Sequence, residues 1–164
     1  MNYNSIVHFR TKKEEGDIMT VNEFWNYILS IENEYSLFRK QIMNRFSLSA
    51  AETDILMFLS NNPEFDTAAH ISKIRKMPKS QVSLAVNSLC KKDLIEGIYS
   101  AGNKKSIHLK IKNNASEIVS YGKKVQSEFS EMLFSGFSEE EKNEFSRLHL
   151  KIAENIKSKR NGEK

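Results

Sequence analysis

Apolar residues recur at helical spacing through the first part of the chain. Thr20 and Glu23 have the spacing of a capping box, in which each side chain satisfies a free backbone N–H of the first turn. The apolar residues that follow return every three or four positions and predict one long helix that ends near Phe46. This stripe consists of Phe24, Ile28, Ile31, Tyr35, Phe38 and Ile42. It is too long for one short neighbour to cover, and we expect a second copy of the chain to cover part of it.

Two shorter helices are predicted next. Ser49 and Glu52 repeat the capping-box spacing and open a helix that ends near Asn61. Asp66 or Thr67 is the expected N-cap of the following helix. The residues expected to point inward from this third helix are Ala68, Ile71 and Ile74.

A fourth predicted helix has one apolar face and one hydrogen-bonding face. Pro78 fits its first turn, where a missing N–H costs nothing. The spacing of Val82, Val86 and Leu89 places these residues on one face. The polar residues Lys79, Ser80, Gln81, Ser83 and Asn87 fall elsewhere. We expect Cys90, which follows Leu89, to face the apolar side.

Partial alternation replaces the helical period at Ile95. Residues 95–100 and 106–111 predict two strands, and residues 101–105 predict a hairpin tip that carries Lys104 and Lys105. Helical spacing then returns from Ile118 to about residue 134, and Gly136 interrupts it. A last helix is predicted to open with a capping box at Ser138 and Glu141. Its expected inward residues are Phe145, Leu148, Ile152 and Ile156.

Composition favours a helical protein held together by packing alone. The 164 residues include only 6 Gly and 2 Pro, and the single cysteine excludes an internal disulfide. The sequence has no zinc-ligand spacing of His and Cys, so we expect neither a metal nor a cofactor. Its apolar runs are all shorter than a membrane helix needs, which predicts a cytoplasmic protein with no membrane partner.

Positive charge is concentrated in the middle of the chain. The net charge is +4, but residues 70–112 contain ten basic and two acidic side chains. A basic segment between acidic flanks is typical of a module that binds a polyanion. The sequence lacks a phosphate-binding glycine loop, a nucleophile elbow and paired catalytic carboxylates. We therefore predict no catalytic residues and no enzymatic activity.

The order of elements predicts a mainly α (α+β) fold, a winged helix-turn-helix with long N- and C-terminal dimerisation helices. One helix fits the major groove of double-stranded DNA, where amides and hydroxyls read base edges and lysines contact phosphates. The candidate DNA-binding residues are Lys76, Lys79, Ser80, Gln81, Ser83, Asn87, Asn103, Lys104 and Lys105. The alternative is a winged-helix module that docks onto a protein partner. The salt dependence of binding separates the two, because DNA binding releases counterions.

Residues 71–83 and the apolar positions that follow resemble the helix-turn-helix of the MarR family of bacterial transcriptional regulators. The resemblance covers about residues 21–157. It implies an obligate homodimer on a pseudo-palindromic operator, released from DNA by a small aromatic or anionic ligand or by cysteine oxidation. Redox-sensing members carry their cysteine in the first helix, where this chain has none, so we favour the ligand. Its candidate contacts are the first-helix aromatics Trp25, Tyr27 and Tyr35.

The chain departs from the family pattern around the wing. The family has an Asp-x-Arg-Arg run where this sequence has residues 102–105, Gly-Asn-Lys-Lys. Lysine lacks the bidentate fork of arginine, so we expect looser wing contacts. Asp93 stands where the family has a glycine, and Lys112 and Ala115 replace a threonine and a glycine after the wing.

These patterns define a domain scheme. We expect a flexible N-terminal extension over residues 1–19, a single winged-helix domain over 20–157 and a basic tail over 158–164. Within the domain, residues 21–46 and 115–157 are the predicted dimerisation helices. Residues 49–112 are the predicted winged helix-turn-helix.

Overall fold

The computed structural model describes residues 19–100 and 103–161. The helices are α1 (Val21–Phe46), α2 (Ala50–Asn61), α3 (Ala68–Arg75), α4 (Lys79–Lys91), α5 (Ser116–Leu133) and α6 (Glu139–Asn161). The strands β1 (Ile95–Ser100) and β2 (Asn103–Ile111) form one antiparallel sheet, and a 3₁₀ turn at Asn113–Ala115 precedes α5. The predicted mainly helical winged fold is confirmed. Residues 1–18 of the predicted extension and 162–164 of the predicted tail lie outside the described residues, as do the side chains of residues 100, 103–106, 160 and 161.

Capping boxes begin three of the helices, as the spacing predicted. At the start of α1 the Glu23 N–H donates to Thr20 Oγ1 over 3.2 Å, and the Thr20 N–H donates to Glu23 Oε2 over 2.8 Å. The reciprocal bonds satisfy N–H groups that a first turn leaves without helical partners. The same arrangement opens α2 at Ser49 with Glu52 and α6 at Ser138 with Glu141.

The core is built around α2. Residues 55–59 of this helix are all buried, and α1, α3 and α4 each add a buried side chain against them: Ile42, Ile71 and Leu89. Gly122 of α5 lies against α2, because an added Cβ at this position would overlap the thioether of Met57. The close approach of α5 to α2 therefore depends on a glycine.

The inward faces of α3 and α4 differ from the predicted ones. Only Ile71 of α3 is buried, whereas Ala68 and Ile74 are exposed, because a helix of two turns presents few positions to one core. In α4, Ala85 joins the predicted inward residues, and Val86 is only partly buried. Pro78 is the N-cap of α4 rather than a first-turn residue.

The hairpin is longer and less regular than predicted. Ile95 pairs with Ile111 and Tyr99 with Ile107, but the register then shifts so that Ser100 pairs with Asn103. In β2, residues 104–106 lie between Asn103 and Ile107, the residues that form these last two pairs. The strand β2 therefore includes residues 103–105, which the sequence had indicated as part of the tip.

The carboxylate of Asp66 and a main-chain hydrogen bond attach the hairpin to the segment before α3. The Leu109 N–H donates to the carbonyl oxygen of Asp66 over 2.7 Å, and His108 Nδ1 lies 2.9 Å from both carboxylate oxygens of Asp66. Thr67, the N-cap of α3, forms a single bridge with His108. The wing is thus attached at the start of the helix-turn-helix.

Two of the departures from the family pattern contact each other. Asp93 has a φ of 57°, in the left-handed region that favours glycine. Its carboxylate accepts hydrogen bonds from Lys112 Nζ and, over 2.5 Å, from Asn114 Nδ2. The bond with Asp93 raises the pKa of Lys112. The side-chain contacts of Asp93 therefore offset part of the backbone strain that a glycine would avoid.

A buried carboxylate joins α1, α2 and α4. The side chain of Glu52 is only 5% exposed. Its Oε1 accepts from Lys92 Nζ over 2.8 Å and from Ser88 Oγ over 2.7 Å, and its Oε2 accepts from the Ser49 N–H over 2.7 Å. Lys92 Nζ also donates to the carbonyl oxygen of Ser47, the C-cap of α1. Burial alone would raise the pKa of Glu52, but these partners outweigh it and lower the pKa to about 2.

The chain divides into two compact units, Met1–Gln126 and Ser127–Lys164, with the boundary inside α5. In the second unit the Phe134 ring packs edge-on against Phe145 at a centroid distance of 5.3 Å. The prediction that Leu148, Ile152 and Ile156 point inward is wrong for the single chain, because all three are exposed. None of the described helices is long and apolar enough to cross a membrane.

We expect Glu52→Gln to lower the free energy of unfolding at pH 7 by about 1–3 kcal/mol, because the amide loses the charge-assisted bonds. The pKa of Glu52 falls from 4.5 to about 2 on folding. Its contribution is therefore complete above about pH 5 and is lost as the pH falls toward 2. Urea unfolding of both proteins between pH 7 and pH 3 measures this.

The matched control is Glu117→Gln, which removes the exposed pair of Glu117 with Arg45. Its effect is expected to stay within about 0.5 kcal/mol at every pH. Equal acid sensitivity of the wild type and Glu52→Gln would contradict the assignment of this carboxylate.

Candidate nucleic-acid interface

The turn between α3 and α4 is held by its own side chains. Lys76, the C-cap of α3, has a φ of 56° and redirects the chain. Ser72 Oγ donates to the carbonyl oxygen of Met77 over 2.8 Å, and the Met77 side chain packs against the core. Pro78 then starts α4. These contacts define the direction in which α4 leaves the turn.

The buried residues of α4 determine which side chains face outward. Val82, Ala85 and Leu89 are buried against the core, so the opposite side of the helix faces solvent. All five predicted polar residues of this helix are exposed: Lys79, Ser80, Gln81, Ser83 and Asn87. Because α4 contains no acidic residue, its outer surface carries only polar, apolar and basic groups.

A cavity of about 420 Å³ separates α4 from the wing. Lys79, Ser83 and Asn87 line it from α4, and Ile107 and Leu109 line it from β2. Gln81 is not among the lining residues. The structure therefore brings three of the predicted polar residues together beside the wing, and it leaves Gln81 on another side of the helix.

The N-terminus of α4 has no side-chain cap. Pro78 makes no cap hydrogen bond, so the first N–H groups of the helix are directed outward without a capping side chain. A helix N-terminus of this kind favours a phosphate oxygen. Lys76 and Lys79 are both exposed at this end of the helix.

The wing residues Asn103, Lys104 and Lys105 belong to β2, but their side chains lie outside the described part of the chain. Their predicted contacts with DNA remain a prediction. On the described part of the hairpin, Tyr99 and Ile107 form an exposed cross-strand pair.

Cys90 is exposed, and the prediction that it faces the apolar side is wrong. Successive residues of a helix are about 100° apart, so the burial of Leu89 turns its neighbour away from the core. Partial burial raises the pKa of the Cys90 thiol. A raised pKa reduces the thiolate fraction and with it the reactivity of the thiol.

A second cavity, of about 480 Å³, adjoins α1. Of the three candidate ligand contacts, Tyr35 lines this cavity, and Trp25 and Tyr27 do not. The cavity is lined by Glu32, Asn33, Tyr35, Ser36, Arg39, Asp54, Arg75 and Met77. Trp25 is more than half exposed to solvent, and Tyr27 is partly buried elsewhere along the helix.

Arg39 is the most constrained cation of this cavity. Its Nη1 lies 2.7 Å from Asp54 Oδ2. Its Nε is buried, and no described group accepts a hydrogen bond from it. The Tyr35 hydroxyl accepts from Gln126 Nε2 over 3.1 Å. The cavity therefore combines an aromatic ring with two arginines.

Among the described residues, no group of three His, Cys, Asp or Glu could hold a metal ion.

Residues 46–106 match the family model described as MarR family. No curated protein sequence matches the chain significantly. Among solved structures, a MarR-family transcriptional regulator from Silicibacter pomeroyi is similar, with 17% identity, a TM-score of 0.70 and coverage of 84% of this chain and 92% of that one.

Two similar structures were solved with DNA. The S. aureus MepR–DNA complex shares 19% identity at a TM-score of 0.65, over 84% of this chain and 96% of that one. The MarR-family regulator from Listeria monocytogenes, described as putative and complexed with a 26mer DNA, shares 18% identity at a TM-score of 0.69, over 85% of this chain and 90% of that one.

The family match covers α2 through most of the wing, and the shared fold extends to more than four fifths of the chain. The expectation of a non-enzymatic protein agrees with this family. The winged helix-turn-helix of this protein is therefore similar to the MarR family model over residues 46–106, and the chain has the fold of solved MarR-family transcriptional regulators.

Proposed function

We propose that this protein is a sequence-specific DNA-binding transcriptional regulator that acts as a homodimer on a pseudo-palindromic operator. The observation that carries the proposal is the outer face of α4, which is exposed, polar and free of acidic groups while the inner face is anchored in the core. A helix of this kind fits the major groove of B-form DNA. Two proteins of the same fold have been solved with DNA.

Base reading and phosphate binding fall to different residues in this proposal. Asn87 carries an amide that can pair with the N6 and N7 edge of adenine, and Gln81 and Ser83 add further hydrogen-bonding groups. The N-terminus of α4 and its flanking lysines contact phosphates. The wing lysines attract the neighbouring backbone without the bidentate geometry of arginine.

The homodimer explains the apolar side chains that the single chain leaves exposed. On α6, Leu148, Ile152 and Ile156 are each about half exposed and share one face by their spacing. On α1, Phe24 and its stripe are also only partly covered, and Ile42 alone is buried. A contiguous apolar stripe of this length marks a protein interface. In a symmetric homodimer, each copy covers the exposed stripes of the other with its own.

Ligand control is assigned to the cavity beside α1. An aromatic ring can stack on Tyr35, and a carboxylate can pair with Arg75 and with the unsatisfied Nε of Arg39. A small aromatic anion therefore suits this cavity. Such a ligand changes DNA affinity only if it binds the DNA-incompetent conformation more tightly.

We expect Asn87→Ala to weaken binding to the preferred site by roughly 1–3 kcal/mol and to relax one base position, because one side-chain pair to a base edge is lost. The matched variant Lys104→Ala with Lys105→Ala should weaken preferred and random DNA alike. Fluorescence anisotropy with both DNAs gives the two affinities. An equal loss of specific and non-specific affinity in both variants would contradict this division of roles.

The double variant Ile152→Asp, Ile156→Asp should be monomeric. Each aspartate would place an unpaired charge in the buried dimer interface, at a cost of about 2–5 kcal/mol. Light scattering should give twice the 19.0 kDa chain mass for the wild type and the single mass for the variant. Leu150→Asp, at an exposed leucine outside the stripe, is the control and should stay dimeric. A wild-type mass of one chain at micromolar concentration would refute the homodimer.

Salicylate should weaken operator binding of the wild type by about 5–150-fold, the usual range of coupling between two sites. Arg75→Gln should reduce this response, because a carboxylate loses one cation. Arg147→Gln, which changes an exposed arginine of α6, should respond like the wild type. Anisotropy titrations with and without salicylate measure the ratio.

Peroxide provides the contrasting condition. The ligand hypothesis predicts that peroxide leaves operator affinity unchanged in both the wild type and Cys90→Ser. A peroxide response that disappears in Cys90→Ser would replace ligand control with thiol chemistry at this residue.

A further inference from the structure

We infer that Leu84 reads thymine methyl groups in the major groove and is a specificity-determining residue of this protein. The inference rests on the proposed DNA-binding function and deepens it. Leu84 is 72% exposed, the highest value for a large apolar side chain within the described part of residues 50–111. The other exposed residues of α4, apart from Cys90, are polar or basic, so the exposure of Leu84 needs an explanation.

Leu84 lies on the outer side of α4. The buried residues Val82, Ala85 and Leu89 define the inner side of the helix. At about 100° per residue, Leu84 lies on the opposite side, and Ser80 and Asn87 lie one turn before and after it. Both neighbours are exposed and polar. If α4 enters the major groove, Leu84 is therefore directed at the base edges between the contacts of these two residues.

The chemistry of the groove provides one apolar partner. Among the four bases, only thymine presents a methyl group at its major-groove edge, whereas the other edges present hydrogen-bond donors and acceptors. A leucine placed against those polar edges excludes water from them without replacing its hydrogen bonds. Against a thymine methyl group, the same leucine buries apolar surface on both sides. The side chain thus favours thymine and disfavours the alternatives.

A protein-docking role does not explain the same observation. Leu84 is the only large apolar residue of α4 that is exposed, and the exposed residues around it are serine, glutamine, asparagine and lysine. Stable protein interfaces bury a core of several apolar residues within a polar rim. A single leucine among hydrogen-bonding side chains instead matches the mixture of methyl and polar groups on base edges.

The test removes one methyl group at a time. Sites are first enriched from a random DNA pool with the full chain, and each thymine of the best site is then replaced by deoxyuridine. The wild type should lose about fourfold in affinity at one or two thymines of each half-site, the effect expected from burying one methyl group. Leu84→Ala should bind the enriched site more weakly and show no uracil penalty at those positions.

Leu150→Ala is the matched control, because it truncates a similarly exposed leucine outside α4 and should retain the wild-type uracil penalty. The inference is overturned if the wild type tolerates uracil at every position, or if Leu84→Ala keeps the same penalty as the wild type. Failure of the proposed function looks different: no site is enriched at all, and the inference then falls with it.

Discussion

A buried carboxylate at Glu52 is the constraint on which the recognition surface depends. A charge in the interior is costly unless it is paired and hydrogen-bonded, and Glu52 meets this requirement only with Lys92, Ser88 and the Ser49 N–H all in place. These partners belong to the start of α2 and the end of α4, and Lys92 extends the network to the end of α1. The network therefore fixes the C-terminal end of α4, and the N-terminal end and outer face of this helix stay exposed.

Carboxylates paired with cations or hydrogen-bond donors also hold the wing in place. Asp66 holds His108 and the strand β2, and Asp93 holds Lys112 and Asn114 at the base of the hairpin. Among the basic side chains that the structure describes between positions 70 and 112, Lys92 pairs with Glu52 and Lys112 pairs with Asp93. The excess of positive charge that remains available to a polyanion is smaller than the sequence count, but it is concentrated at the turn, the start of α4 and the wing.

Sequence patterns between near neighbours predict most of the fold. The predictions that were wrong, and the contacts that were not predicted, depend on residues far apart in the sequence. The three capping boxes and the bounds of α1 and α2 could be predicted because each depends on residues three or four positions apart. Cys90 was misplaced because one helical step of about 100° separates buried from exposed, and only the core contacts of Leu89 decide the phase. The contact between Asp93 and Lys112 joins residues 19 positions apart, and no local pattern indicates it.

The site shows the same division. The exposed polar residues of α4 followed from helical periodicity. Trp25 and Tyr27 do not line the cavity that Tyr35 lines, because periodicity shows which helix face is apolar and not which part of that face borders a space. The sequence analysis did not identify Leu84 as a candidate contact, because helical periodicity identifies the apolar residues of the core face and the polar residues of the outer face. An apolar residue on the outer face belongs to neither group. The register of β2 beyond Tyr99 depends on a shift that alternation alone does not reveal.

The central claim is that the outer face of α4, a helix without acidic residues, binds DNA rather than a protein, and salt dependence tests it most directly. The affinity of the full chain for an enriched site, measured between about 50 and 200 mM salt, should fall steeply, because each neutralised phosphate contributes a slope of about −0.9 to the log–log plot. A slope equivalent to several phosphates is the predicted result. A slope near zero would contradict the account and would favour a protein partner for this surface.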